Sequence, residues 1–188
     1  MFQNALKHGP NKNFLGFRPY NSTKGKYETY YQYYTYEEIA KRRDNLGSGI
    51  SKLIDDGKLG NIEQSGWKAG TWSKNCVEWQ VADLSLHAFS RISVPLYDTL
   101  GNDSVEYVIN HSEINLVFTS SSHLPQLYKL MSLCPTIKAI IVLDGLHEPG
   151  APLNDNREPG QLNRSEIFKK WAQDVNVNIY SLSESEYM

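Results

Sequence analysis

The stretch "RISVPLYDTLGNDSVEYVINHSE", Arg91 to Glu113, reads as a short apolar strand, a polar loop with one glycine, and a helix that opens on Asp103. Strand, loop, helix is the order in which α/β enzymes hold phosphate, so the loop is the first thing to test. It fails as a cradle. Asp98 would repel an anion, Gly101 is the single glycine, and no lysine or arginine follows in the first turn of the helix. The stretch therefore predicts a strand-to-helix turn, and the unit it belongs to recurs along the chain.

Short β-branched runs appear at 67–72 (WKAGTW), 92–97 (ISVPLY), 115–119 (NLVFT), 138–143 (KAIIVL) and 177–181 (VNIYS). They are too short for helices, and their lack of polar alternation fits parallel strands covered on both faces. Helix starts lie between them. Thr35 with Glu38, Asn75 with Glu78, Asp103 with Glu106 and Asn163 with Glu166 each place a capping residue three positions before a glutamate. A first helix over about 36–54 should bury Ile39, Leu46, Ile50, Leu53 and Ile54, turn Lys41, Arg42 and Arg43 towards water, and end on Gly57 in a left-handed cap. A second, from Cys76, is apolar nearly all round and should be heavily buried, with His87 as a hydrogen-bonded core residue. This alternation predicts an α/β fold, a mostly parallel sheet flanked by helices.

Residues 1–26 lack sustained periodicity and read as an amino-terminal arm. The tyrosine-rich run 26–38 reads as one or two short surface strands, not a stacking platform for bases. The Pro/Gly/Asn-rich segment 144–163 reads as a flexible surface loop within a domain spanning 27–188.

With 188 residues, 40% of them hydrophobic, the chain can form a core without metals or disulfides. Cys76 and Cys134 are far apart and suit a reducing compartment as small core residues. A formal charge of -2 gives no footprint for nucleic acid. The excess of basic groups in residues 1–60 is solvated surface first, and second a surface suited to peripheral membrane association. No run approaches the length of a membrane span.

The remaining motifs exclude chemistry. "GLHEPGAP" (145–152) has phosphate-loop glycine spacing but Ala151 and Pro152 where lysine and a hydroxyl are needed. "GSG" (47–49) falls inside the first helix and signals close packing. "TSSSHLP" (119–125) is the best superficial anion loop, but without glycine or lysine its serines are better read as caps for the helix carrying Leu124, Leu127, Leu130 and Met131. The five histidines have no metal-ligand spacing.

"LGFRP" (15–19), "YYTYEE" (33–38), "TWSKNCVEWQVADLSLHAFS" (71–90), "VPLYDTLGNDSVEYVINHSE" (94–113) and "VFTSSSHLPQL" (117–127), taken as a set, resemble the start of a eukaryotic long-chain acyl-CoA synthetase of the fungal peroxisomal type. The resemblance covers about residues 14–182. It implies the first subdomain of the large amino-terminal domain of an adenylate-forming enzyme, which joins a fatty acid to ATP with Mg2+ and passes the acyl group to coenzyme A. It implies an intracellular setting, the peroxisome or a cytosolic membrane surface. The family's loop ending in P-K-G, its adenine and ribose contacts and its carboxy-terminal domain with a catalytic lysine have no counterpart in these residues. No catalytic, cofactor-binding or metal-binding residue carries over, so the 188-residue segment alone is expected to be inactive, to bind none of the cofactors itself, and to self-associate through the face that the rest of such an enzyme covers. The alternatives are a truncated, non-catalytic folding or interaction module, and a complete flavodoxin-type nucleotide domain.

Overall fold

The computed structural model describes residues 1–21, 23–97, 102–144, 146 and 164–188. The YDTLG loop after Tyr97, the helix cap expected at Asn163, and all of the 144–163 loop except Asp144 and Leu146 lie outside these residues.

All five apolar runs form strands: β5 (Lys68–Trp72), β6 (Ile92–Pro95), β7 (Leu116–Thr119), β8 (Ala139–Val142) and β9 (Asn178–Ser181). They make one sheet in the order β6-β5-β7-β8-β9, and every neighbouring pair is parallel. The alternation of side chains builds two cores. On one face Ala69, Leu116, Phe118, Ala139 and Ile141 meet α2 (Tyr36–Asp55), α3 (Val77–Ala88) and α7 (Leu182–Glu186). On the other, Trp72, Val117, Ile140 and Val142 meet α4 (Asn102–His111), α5 (Leu124–Leu130) and α6 (Arg164–Asp174). Burial on both faces is why β5, β7 and β8 read as unbroken apolar runs, whereas the edge strands β6 and β9 are only partly buried, against the expectation of cover on both faces for all five.

Residues 1–35 contain α1 (Phe2–His8) and a two-stranded ribbon. Within it β1 (Asn13–Phe17) pairs antiparallel with β4 (Gln32–Thr35), and β2 (Tyr20–Asn21) with β3 (Lys26–Tyr27). The tyrosine-rich run thus supplies two short surface strands, as its alternation predicts.

α2 opens on a capping box: Thr35 Oγ1 accepts from the Glu38 N–H at 3.2 Å, and Glu38 Oε2 accepts from the Thr35 N–H at 2.7 Å. The Thr35 N–H, and with it the Thr35 hydroxyl, which donates to Oε2 at 2.9 Å, hold the Glu38 carboxyl below its ordinary pKa. After the helix Gly57 adopts φ 69°, the left-handed conformation expected there.

Several side chains depart from the sequence reading. Arg43 is buried, paired with Asp44 at 2.7 Å and set 5.2 Å over the Phe2 ring of α1. Arg42 is half-buried between Glu186 (3.0 Å) and Glu78 (3.5 Å), so it ties α2 to α7 and α3. α3 is capped by Cys76, whose Sγ accepts from the Trp79 N–H, and not by Asn75. Cys76 is consequently exposed, whereas Cys134 is a core residue whose thiol burial pushes up to about 11. α3 buries a single face, because its opposite side has no layer above it. His87 lies on that open side and faces Asp83 at 3.6 Å, so it is not a core residue. α4 begins at Asn102, which places Asp103 inside the first turn and not at the cap. The "GSG" prediction holds: Gly47 lies against the Phe89 ring and Gly49 against the Ser185 carbonyl.

Candidate functional site

In a doubly wound parallel sheet, ligands bind at the carboxyl ends of the strands where successive connections leave in opposite directions. Here β5 connects through α3 to β6 on one side, and β7 connects through α5 to β8 on the other. The crevice of interest therefore lies between Trp72 and Thr119. The order is the flavodoxin-like one, with the first strand of the sheet second from its edge.

Among the described residues, the polar groups at this crevice are taken up by the chain itself. Thr119 Oγ1 donates to the Trp72 carbonyl at 3.0 Å, and the Ser120 N–H donates to the same carbonyl at 3.3 Å. The buried Trp72 indole stacks on His123 with centroids 5.0 Å apart and planes 15° apart. Ser120 Oγ bonds His123 Nδ1 at 2.7 Å and thereby fixes the ring.

The hydroxyl-rich loop after β7 is equally committed. Residues Ser121–His123 form a 3-10 turn, and α5 follows with no side-chain cap. The serines therefore do not cap α5 as the sequence predicts. Instead the Ser121 N–H donates to Asp144 Oδ1 at 2.7 Å and its Oγ to Oδ2 at 2.9 Å. A carboxylate at the end of β8 thus receives the donors a phosphate would need. A triphosphate placed at the Ser121 donors would meet the Asp144 carboxylate instead of a lysine, so these donors do not fit ATP. Nor do they offer its metal an obvious seat: among the described residues no group of three His, Cys, Asp or Glu side chains is disposed to hold an ion.

The two pairs found at the crevice, Ser121–Asp144 and Trp72–His123, were not legible in the sequence. Ser121 and Asp144 are 23 positions apart, and Trp72 sits in a strand where a tryptophan reads as core. Two open depressions lie at the other end of the sheet. One, of about 550 Å3, is bordered by Gln64, Phe89 and Arg91, and another, of about 510 Å3, by Trp67, Lys68 and Asn115.

Comparison with known proteins agrees with this architecture. The family described as AMP-binding enzyme matches residues 2–181, and the chain belongs to that family. It is 40% identical over 182 residues to "Acyl-CoA ligase 891, peroxisomal" of Penicillium roqueforti (strain FM164), covering 97% of this chain and 24% of that protein. It is 36% identical over 178 residues to "Long-chain-fatty-acid--CoA ligase 6" of Rattus norvegicus, covering 93% of this chain and 22% of that one. The chain thus spans about a quarter of the length of these curated relatives. The A-PCP didomain of carboxylic acid reductase from Segniliparus rugosus, in complex with AMP, shares the fold with a TM-score of 0.75 at 13% identity, over 98% of this chain and 25% of that one. The anthranilate CoA ligase AuaEII, in complex with anthranoyl-AMP, does so with a TM-score of 0.62 at 16% identity, over 92% of this chain and 26% of that one. The fold is that of the amino-terminal region of adenylate-forming enzymes.

Proposed function

We propose that this chain is the amino-terminal scaffold of an ATP-dependent ligase that activates long-chain fatty acids and transfers them to coenzyme A. The observation that carries the reading is the family match over residues 2–181, which takes in all five strands of the parallel sheet and is accompanied by 40% identity to an acyl-CoA ligase. In the reaction, the fatty carboxylate attacks the α-phosphorus of ATP and releases pyrophosphate, and the CoA thiol then displaces AMP from the acyl-adenylate. Magnesium supplies charge neutralisation for the triphosphate.

The contribution of this segment is positional. Its Ser121–Asp144 turn leaves the donors at the carboxyl end of β7 already paired, and the 188 residues alone are inactive. The name of the Penicillium relative supports a peroxisomal setting. Self-association of the isolated segment is assigned to the β6 edge, where Ile92 and Tyr97 are exposed.

A chimera tests the reading. Residues 2–181 would replace the matching quarter of the Penicillium roqueforti ligase, and formation of palmitoyl-CoA would be followed with Mg-ATP and CoA. The chimera is expected to retain activity within about tenfold of its parent, a loss below about 1.4 kcal/mol of transition-state stabilisation. The isolated chain should match the blank. A folded chimera inactive on every fatty acid would refute the ligase assignment and favour a non-catalytic module. Activity of the isolated chain would refute the scaffold role.

A further inference from the structure

We infer that both edges of the five-stranded sheet are built to refuse strand pairing with a second copy of this chain, and that Pro95 and Glu184 are the residues that refuse it. β6 and β9 are the outer strands, and among the described residues no strand pairs with their free sides. A row of open N–H and C=O groups along such a side is a template for another chain. Which groups stand open follows from the ladder.

At β6 the Ile92 N–H donates to the Trp67 carbonyl at 2.9 Å and, just past the strand, the Leu96 N–H donates to the Thr71 carbonyl at 2.8 Å. Backbone groups alternate in direction along a strand, so Val94 also faces β5, while Ser93 and Pro95 face outward. Proline has no N–H, and the outward row therefore loses its second donor. The ring costs β6 no bond to β5, because position 95 points away from that strand.

β9 reaches the same end by different chemistry. The Asn178 N–H donates to the Lys138 carbonyl at 2.9 Å, so Asn178 and Tyr180 face β8, while Ile179 and Ser181 face outward. The Ser181 N–H is already taken: it donates to Glu184 Oε2 at 2.6 Å in the capping box of α7. The box that starts the helix thus also ends the sheet. Each edge strand is four residues long and keeps one outward donor, from Ser93 on one side and Ile179 on the other. One donor gives a second strand no register to hold. The self-association assigned above to the β6 edge then runs through the Ile92 and Tyr97 side chains and adds no strand. The inference stands on the ladder, apart from the ligase reading, and an inactive chimera would leave it unchanged.

Amide hydrogen exchange, read residue by residue by NMR on the full 188-residue chain at two concentrations, tests it beside sedimentation velocity. In the unaltered chain the Ser93 and Ile179 N–H groups should exchange at least about tenfold faster than those of Val94 and Tyr180, equally at both concentrations. This comparison needs no substitution. Pro95→Thr returns the missing donor and should tighten self-association about tenfold, with the Ser93 N–H slowing as concentration rises. Pro95→Ala should do the same with a weaker strand former. Glu184→Ala should speed exchange of the Ser181 N–H about tenfold, and Glu184→Gln, which keeps an acceptor, should restore most of its protection. Protection of Ser93 or Ile179 that grows with concentration in the unaltered chain would overturn the inference. So would Pro95→Thr and Pro95→Ala both sedimenting and exchanging like the unaltered chain.

Discussion

Gly49→Val is expected to be the most damaging single substitution in the chain. Gly49 lies in the middle of α2 and is buried where α7 crosses it, so close that a Cβ would overlap the Ser185 backbone carbonyl. Backbone cannot rotate aside as a side chain can. The two helices would have to separate, breaking the Arg42–Glu186 pair and lifting Leu182 out of the core. Overpacking of this kind costs about 3 kcal/mol or more, a large share of a typical stability of about 5–15 kcal/mol. Gly49→Ala is the sharper test. Alanine is the better helix former by about 1 kcal/mol, yet the overlap should leave a net loss of about 2 kcal/mol in urea unfolding. Ser48→Ala, exposed on the same helix, should be neutral or slightly stabilising. Gly47→Ala should cost less than Gly49→Ala, because Gly47 faces the movable Phe89 ring. Equal stability of Gly49→Ala and Ser48→Ala would show that α7 does not pack as described.

Arg91→Ala should cost about 3 kcal/mol, for a different reason. Arg91 is 2% exposed and lies just before β6. Its Nη1 donates to the Gly47 carbonyl at 3.1 Å, its Nη2 to Ser51 Oγ at 2.6 Å, and its Nε to the Gln64 carbonyl at 3.2 Å. The guanidinium also sits 5.0 Å from the Phe89 ring and 5.6 Å from that of Trp67. Burial lowers its pKa to about 10, which still leaves it charged at neutral pH. One side chain therefore fastens α2, the 60–66 connection and the sheet edge, using neutral acceptors alone among its hydrogen bonds. Alanine would leave those carbonyls short of donors and a gap between two rings. Arg91→Met fills the gap without the charge and should lose less, about 1–2 kcal/mol, because the cost of burying the guanidinium disappears with it. Arg91→Met as damaging as Arg91→Ala would place the stabilisation in the hydrogen bonds and not in packing.

What the sequence made legible and what it hid divide along sequence separation. The central strands announce themselves because burial on both faces is written into four or five consecutive residues, as in "LVFT" and "AIIV", and the partly buried edge strands β6 and β9 keep enough of that apolar run to be read with them. The Thr35–Glu38 box was readable for the same reason, since its partners are three residues apart. α7 uses an identical box, Ser181 with Glu184, but at five residues it carries too little periodicity to be noticed. Arg43 and Arg42 look like the polar face of α2 until α1 and α7 fold back over them. Cys76 displaced Asn75 as cap by one position, a shift that no propensity signals. The functional region shows this division most sharply. A hydroxyl-rich loop after a strand is visible locally, but the Asp144 carboxylate that satisfies it comes from the next strand of the sheet.

The scaffold role depends on those donors being already paired, and isothermal titration of the folded 188-residue chain with Mg-ATP is its sharpest test. No saturable heat is expected, because the Ser121 donors are held by Asp144 and the Trp72 ring is stacked on His123. Saturable binding of Mg-ATP at micromolar affinity, about -8 kcal/mol, lost on Ser121→Pro, would contradict it and place a nucleotide site at the carboxyl end of β7.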